Sequence, residues 1–138
     1  EALGRLVDEQ KLQTEVEFAG RLTETEKDAA LREAHLLLHT SVREGWGLNV
    51  TEANAMGTPA VVYPVPGLEE STLHGKTGLV SEQESPKSLA GAVESVLRQP
   101  KEYQQWRVAA RDRARSLHWD NVLPGACDQL EAWARGET

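Results

Sequence analysis

Two glutamates flank a glycine-containing stretch within residues 41–62, SVREGWGLNVTEANAMGTPAVV. Glu44 stands directly before the first glycine, and Glu52 follows it eight residues later. A carboxylate accepts two hydrogen bonds in a fork, which matches the adjacent hydroxyl groups of a sugar ring. The spacing alone predicts nothing, because Glu9 and Glu17 are also eight residues apart. The residues between the two acids therefore decide what this pair could bind.

Those intervening residues indicate an anion-binding helix start. Gly45 and Gly47 let the backbone turn sharply and approach a ligand closely. A helix is predicted from about Asn49 to Met56, and its first amides carry the positive end of the helix dipole, which suits a phosphate. No Gly-Lys-Ser/Thr follows, so the stretch is not a Walker loop, and it is not the dinucleotide fingerprint either.

The two acids cannot face the same phosphate, because a carboxylate beside a phosphate repels it by a few kcal/mol at intermediate dielectric. Glu44 before the helix and Glu52 one to two turns into it could instead each contact a sugar, with the phosphates on the amides between them. A nucleoside diphosphate sugar has this order of parts. The plainer alternative is an exposed loop acid followed by a helix acid that the dipole favours.

The strands predicted around this stretch place it at the edge of a sheet. About four short apolar runs alternate with helical segments, which is typical of a parallel, Rossmann-like α/β fold flanked by helices. The predicted strands are VEFAG (16–20), LLLHT (36–40, buried), AVVYPV (60–65) and TGLV (77–80). In such sheets, ligands bind beyond the carboxyl ends of the strands, where loops lead into helices. Residues 41–48 follow the second strand and occupy that position.

Helix signals surround the strands and close the chain. Thr23 and Glu26 form a capping box before one helix, and Ser85 with Pro86 begins another that ends before Pro100. Further helical patterns follow, so the chain is predicted to end in two or three helices. Residues interpreted as packing or structural side chains are Trp106, Trp119, Trp133 and Cys127 in the closing helices and His35 and His39 beside the second strand.

The composition is that of one globular domain without a nucleic-acid or membrane partner. The chain has 138 residues and a formal net charge of -7, and no cluster of Lys and Arg offsets that charge locally. No apolar run reaches the ~20 residues that a membrane-spanning helix needs. One cysteine excludes an internal disulfide and a multi-thiolate metal site. The cytoplasm is the predicted compartment, and the absence of an initial methionine indicates part of a longer protein.

The stretch SVREGWGLNVTEANAMGTPAVV resembles the E-x7-E donor motif of retaining glycosyltransferases with the GT-B fold. It is similar in particular to the group 1 family, which includes mannosyl- and glucosyltransferases of bacterial glycan synthesis. The similarity covers about residues 12–120. It implies that residues 1–138 form a single, partial domain, the C-terminal nucleotide-sugar-binding half of a GT-B fold in a larger two-domain enzyme.

The resemblance implies a role for each residue of the motif. Glu44 would contact donor-sugar hydroxyls near the reacting carbon, and Glu52 would bind the ribose. The residues that would line the sugar and the diphosphate are Gly45, Trp46, Gly47, Leu48 and Asn49. Gly20 and Arg21 would lie near the base. Weaker candidates for the rim of the site are Gly67 and Leu68.

The implied reaction is transfer of a hexose from a nucleoside diphosphate sugar to a glycan or other acceptor, with retention of configuration. The resemblance implies neither a metal nor a cofactor. The acceptor-binding N-terminal domain is missing from this chain, and it would be the partner of the domain described above. Attachment to the inner face of a membrane, as an alternative to a free cytoplasmic enzyme, would also come through that missing domain.

The chain departs from the family pattern in two ways. The family usually has phenylalanine at the position of Trp46, so the larger indole is expected to narrow the sugar pocket. The arginine and lysine that neutralise the departing diphosphate in this family have no counterpart before Val16. Because charge stabilisation is usually the largest catalytic term, the chain by itself is predicted to be inactive.

Two other classes of protein stay open. A non-catalytic nucleotide-sugar-binding module would use the same helix start, and the sequence preceding Glu1 would distinguish it from an enzyme. A phospho-receiver domain needs an acidic cluster after its first strand, whereas Gly20, Arg21 and Leu22 follow that strand here. The receiver is therefore the less favoured of the two.

Overall fold

Three parallel strands and the helices that connect them surround the motif. The structure is a computed structural model that describes residues 2–137. Its strands are β1 (Leu37–His39), β2 (Ala60–Val62) and β3 (Gly78–Val80). Its helices are α1 (Ala2–Glu9), α2 (Glu24–Glu33), α3 (Leu48–Ala55), α4 (Pro66–Ser71), α5 (Pro86–Leu97), α6 (Pro100–Ser116) and α7 (Trp119–Ala134).

The sheet has the order β1-β2-β3, and both pairs of neighbours are parallel. In the register, Val61 of the central strand lies between Leu38 of β1 and Leu79 of β3. All three residues of β2 are fully buried, as expected for a parallel strand that helices cover on both faces. The predicted parallel α/β architecture is therefore confirmed.

The core consists of two layers because successive side chains of β2 point to opposite faces of the sheet. Ala60 and Val62 pack with Val50 of α3 and Leu68 of α4. On the other face, the packed side chains are Val61, Tyr63, Leu89, Val96 and Trp106. Helices α3 and α4 thus cover the face that carries the motif, and α5 and α6 cover the opposite one.

Helix α2 begins with the predicted capping box, which is confirmed. The backbone N–H of Glu26 donates to Thr23 Oγ1 over 3.3 Å, and the N–H of Thr23 donates to Glu26 Oε2 over 2.8 Å. The hydrogen bond from the Thr23 backbone is the largest cause that lowers the pKa of the Glu26 carboxyl, followed by the bond from the Thr23 hydroxyl. Both bonds stabilise the ionised form.

The expected count of four strands is too high by one. Residues 16–20 form no strand in the structure, and Phe18 is 59% exposed. A short run with β-branched and aromatic side chains becomes a strand only when a neighbouring strand accepts its backbone hydrogen bonds, and β1 is the edge of the described sheet. The second predicted strand is confirmed as β1 but is less buried than expected, since Leu38 is half exposed.

Helix α4 has no counterpart among the predicted elements. Pro66 occupies its first turn, where the fixed φ of proline suits a helix start. The three closing helices are confirmed, and Trp106 is buried as predicted. Trp119 and Trp133 are 69% and 61% exposed, so the prediction that they anchor the packing is wrong.

Cys127 is exposed as well, which makes its interpretation as a packing residue wrong. An amphipathic pattern establishes that α7 has an apolar face, but it does not establish which element covers that face. Among the helices of residues 2–137, none combines the length and the apolar character that crossing a bilayer requires.

Candidate functional site

The motif lies at the carboxyl edge of the sheet, where β1 ends and α3 begins. His39 ends β1, and its carbonyl oxygen accepts a hydrogen bond from the N–H of Tyr63 over 3.1 Å. Residues 40–47 form the loop from this strand end to Leu48, the first residue of α3. We call residues 40–47 the motif loop. Its placement agrees with the position at which parallel α/β sheets bind ligands.

Gly47 gives α3 a start without a side-chain cap. It is the N-cap residue, with a left-handed φ of 76° and ψ of 61°. Because glycine has no side chain, the N-cap position makes no side-chain hydrogen bond to the first amides of α3. A Cβ atom at this position would lie 2.7 Å from Leu68 Cδ2 and 3.2 Å from Ser71 Oγ. Both the backbone conformation and the neighbouring α4 therefore require glycine here.

The first turn of α4 packs directly on the motif loop. A Cβ atom at Gly67 would lie 2.6 Å from the carbonyl carbon of Gly45, so the two backbones are in contact. Gly67 and Leu68 are both buried. They support the motif loop, and their expected place at the rim of the site stays a prediction. By contrast, a Cβ atom at Gly45 would meet nothing within 4 Å.

Both carboxylate oxygens of Glu44 have a polar neighbour. Its Oε1 accepts a hydrogen bond from the N–H of Gly45 over 3.1 Å. Its Oε2 lies 3.5 Å from Nε2 of His39. The Glu44 side chain is 30% exposed and that of His39 only 13%. His39, interpreted from the sequence as a structural residue, thus faces the principal acid of the motif.

Glu52 lies in the second turn of α3 and forms an ion pair with α2. Lys27 Nζ lies 3.1 Å from Glu52 Oε1 and 2.7 Å from Glu24 Oε2. These hydrogen bonds, the one to Glu24 first and the one to Glu52 second, raise the pKa of the Lys27 ammonium. Sequence reasoning missed the pairing of Lys27 with Glu52. The spacing of Glu24 and Lys27 indicates only the ion pair within α2.

The remaining motif residues are Trp46, Leu48 and Asn49, at the start of α3. Trp46 folds back on α3, where its indole Nε1–H donates to Thr51 Oγ1 over 3.0 Å. Leu48 is 70% exposed and Asn49 is exposed too. The structure therefore brings residues 44–49 together with Glu52 around one helix start.

Gly20 and Arg21 are both exposed in the segment that precedes α2. Within residues 2–137 they form no hydrogen bond or ion pair with the motif loop. Helix α2, which begins three residues after Arg21, nevertheless reaches α3 through Lys27.

Two hollows of the structure lie away from the motif loop. One of about 540 Å³ lies beside β3 and α5 and includes His74, Ser81 and Ser88. Another of about 690 Å³ lies near the other end of α3 and includes Arg32 and Arg111. The function of the motif loop is therefore judged from the chemistry of its residues. Among residues 2–137, no three acidic, histidine or cysteine side chains gather as a metal site would require.

This combination of a parallel α/β sheet and an uncapped helix start flanked by two acids agrees with the comparison to a known family. The model of the family "Glycosyl transferases group 1" matches residues 1–113. The chain therefore belongs to this glycosyltransferase family, and the resemblance stated from the sequence is confirmed.

Individual proteins of known identity give the same result. The glycogen synthase of Mycobacterium tuberculosis is 37% identical over 121 residues, which cover 87% of this chain and 29% of that protein. Sucrose-phosphate synthase from Thermosynechococcus elongatus has a similar structure, with a TM-score of 0.82, 26% identity, and coverage of 96% of this chain and 34% of the other.

The Anabaena protein Alr3699/HepE, solved in complex with UDP-glucose, has a TM-score of 0.80 at 22% identity, over 95% of this chain and 36% of that one. This last likeness concerns the fold alone. The expected fold class, half of a GT-B fold, is confirmed, and the chain spans about a third of the proteins that it matches.

Proposed function

We propose that this chain is the donor-binding part of a retaining glycosyltransferase that takes a hexose from a nucleoside diphosphate sugar. The observation that carries the proposal is the uncapped start of α3 at the carboxyl edge of the sheet, with Glu44 before it and Glu52 one turn inside it. The activity, the cytoplasmic location and the acceptor belong to the longer protein of which this chain would be a part.

The diphosphate binds the backbone amides at the beginning of α3. Leu48 and Asn49 are exposed there, and Gly45 leaves room for a ligand to approach the backbone. Uncapped N–H groups and the positive end of the helix dipole suit an anion. We expect this binding to require no metal or cofactor.

The donor sugar lies against Glu44, at the end of the loop nearer to β1. One carboxylate oxygen already accepts from Gly45 N–H, which holds that oxygen while leaving further acceptor positions open. Those positions can receive sugar hydroxyls near the reacting carbon. Trp46 would form part of the wall of the sugar pocket.

The ribose lies against Glu52, and the base lies toward Gly20 and Arg21. Lys27 occupies the Oε1 side of the Glu52 carboxylate at 3.1 Å. The second oxygen, Oε2, is then the acceptor for a ribose hydroxyl. Lys27 also offsets the negative charge of Glu52, which would otherwise repel the neighbouring phosphates.

During transfer, the bond between the sugar C1 and the phosphate oxygen breaks, and negative charge gathers on the departing diphosphate. The residues around the helix start contribute little cationic charge to stabilise it, since Arg43 is the one basic residue among residues 41–49. Because stabilisation of developing charge is usually the largest catalytic term, the isolated chain is inactive, and the rest of the parent enzyme supplies the cations.

The experiment that tests this proposal is titration of the chain with UDP, ADP and GDP. Binding is measured by calorimetry, or by NMR at high ligand concentration. At least one nucleotide is expected to bind weakly, and Glu52→Ala is expected to weaken that binding by about tenfold, the effect of a hydrogen bond to a charged group. Glu102→Ala, an exposed glutamate in the first turn of α6, is the matched control. Equal affinities of the two variants would contradict the placement of the ribose, and no binding of any nucleotide would contradict the proposal itself.

A further inference from the structure

His39 reaches Glu44 from a rigid part of the fold. It is the last residue of β1, and its backbone carbonyl is hydrogen-bonded to Tyr63, beyond the end of the central strand. Its side chain is 13% exposed, so the imidazole has little freedom to move. A histidine at this position can therefore hold a partner in one place.

The partner that it holds is otherwise fixed at one oxygen only. Gly45 N–H donates to Glu44 Oε1, and the contact between Gly67 and the Gly45 backbone fixes that stretch of the loop. A carboxylate held at a single oxygen can still rotate about that hydrogen bond. The Nε2 atom of His39, 3.5 Å from Oε2, is the second point that defines the plane of the carboxylate.

We propose that His39 is a positioning residue for Glu44, which orients the carboxylate toward the donor sugar by donating its Nε2–H to Oε2. This inference rests on the proposed contact between Glu44 and the sugar. A separation of 3.5 Å is long for a hydrogen bond. Such contacts are often long in sites without ligand and shorten when the substrate binds. Donation requires the proton on Nε2, which both the corresponding neutral tautomer and the imidazolium supply.

The consequence is specific to one part of the ligand. Since Glu44 faces the sugar while the amides of α3 face the diphosphate, loss of His39 should weaken binding of a nucleotide sugar and leave binding of the nucleotide unchanged. A general disturbance of the fold would weaken both. The ratio of the two affinities therefore separates positioning from a merely structural role.

The test compares UDP and UDP-glucose as probes on the 138-residue chain with the variants His39→Leu and His39→Gln. For His39→Leu, we expect the Kd of UDP-glucose to rise about tenfold, as for loss of one charge-assisted hydrogen bond, while the Kd of UDP stays constant. His39→Gln, whose amide nitrogen can replace the Nε2 donor, should restore most of the affinity. His35→Leu, an exposed histidine just before the same strand, is the matched control.

Equal weakening of UDP and UDP-glucose by His39→Leu, or the absence of rescue by His39→Gln, would overturn the inference. Failure of the unaltered chain to bind either probe would instead count against the proposed function. A crystal structure of the His39→Leu variant then decides the inference without a ligand. We expect the Glu44 carboxylate to rotate about its hydrogen bond from Gly45 N–H, and a carboxylate plane unchanged from that of the unaltered chain would overturn the inference.

Discussion

The two ends of helix α3 differ in how their backbone groups are satisfied. Its N-cap, Gly47, has no side chain to cap the first amides, whereas arginines from α6 contact the carbonyl groups just beyond its last residue, Ala55. Arg107 Nε donates to the carbonyl oxygen of Gly57 over 3.0 Å, and Arg111 Nη2 lies 3.5 Å from the carbonyl oxygen of Met56. Cations at the C-terminus of a helix complement its dipole and satisfy carbonyl groups that lack a partner within the helix.

Under the proposed function, this difference between the two ends separates stability from binding within one helix of eight residues. Where the chain has only to fold, side chains of another helix satisfy the backbone groups. Under the proposed function, glycine replaces a capping side chain at the start of α3, and the backbone amides there are left for a ligand. Substitutions at the two ends are therefore expected to have separable effects.

Gly47→Ala, at the start of α3, should have the largest effect on the free energy of unfolding and on nucleotide binding. The new methyl group would occupy a left-handed backbone position and overlap Leu68. We expect the free energy of unfolding to fall by about 2–4 kcal/mol from strain and overpacking together. Urea denaturation measures this loss, and titration with UDP should show loss of nucleotide binding in the fraction that stays folded.

Gly45→Ala is the matched control for Gly47→Ala. A Cβ atom at Gly45 meets nothing within 4 Å, so its free energy of unfolding should change by less than about 0.5 kcal/mol. Its methyl group points into open space beside the motif loop. If both alanine variants were equally stable, the structural explanation for Gly47 would be incorrect.

Arg107→Ala tests the closed end of α3 and should have a smaller effect. Loss of the hydrogen bond to Gly57 and of a cation at the helix C-terminus is expected to lower the free energy of unfolding by about 1–2 kcal/mol. Nucleotide affinity should stay the same, because the open end is unchanged. The comparison variant is Arg98→Ala, whose side chain is 79% exposed in its pair with Glu94. A marked loss of UDP affinity in Arg107→Ala would show that the two ends do not act separately.

Features that depend on neighbouring residues could be predicted from the sequence. The capping box of Thr23 and Glu26, the start of α5 at Ser85 and the glycine-opened start of α3 depend on side chains and backbone within one or two turns. The order of these elements was sufficient to predict a parallel sheet with residues 41–48 at its edge. The position of the candidate site could therefore be predicted, but its neighbours could not.

Features that depend on distant residues were missed or misjudged. The run at residues 16–20 has strand-forming side chains but no neighbouring strand, so its composition alone was misleading. Lys27 meets Glu52 only because α2 packs beside α3, and no local pattern encodes that contact. His39 lies close to Glu44 in sequence, but their contact depends on the path of the loop, which the first turn of α4 supports.

Helix α2 provides a second contrast with α3, because the side chains of Thr23 and Glu26 cap its start. The lowered pKa of Glu26 means that the ionised carboxylate stabilises the folded state. This contribution is fully present above the ordinary pKa of 4.5 and is lost as the pH falls through the lowered value in the folded state. Glu26→Gln should therefore destabilise the chain at pH 7, but by less than Gly47→Ala or Arg107→Ala, which disturb the two ends of α3.

The same variant should lose less stability than the unaltered chain when the pH falls below 4.5, because it has no carboxylate to protonate at this cap. Urea midpoints measured at several pH values would show the two curves approaching each other in acid. Parallel curves would mean that the capping box does not stabilise the fold through its charge. UDP affinity at pH 7 should be unchanged by Glu26→Gln, since a helix start that its own side chains close has no amides to offer a phosphate.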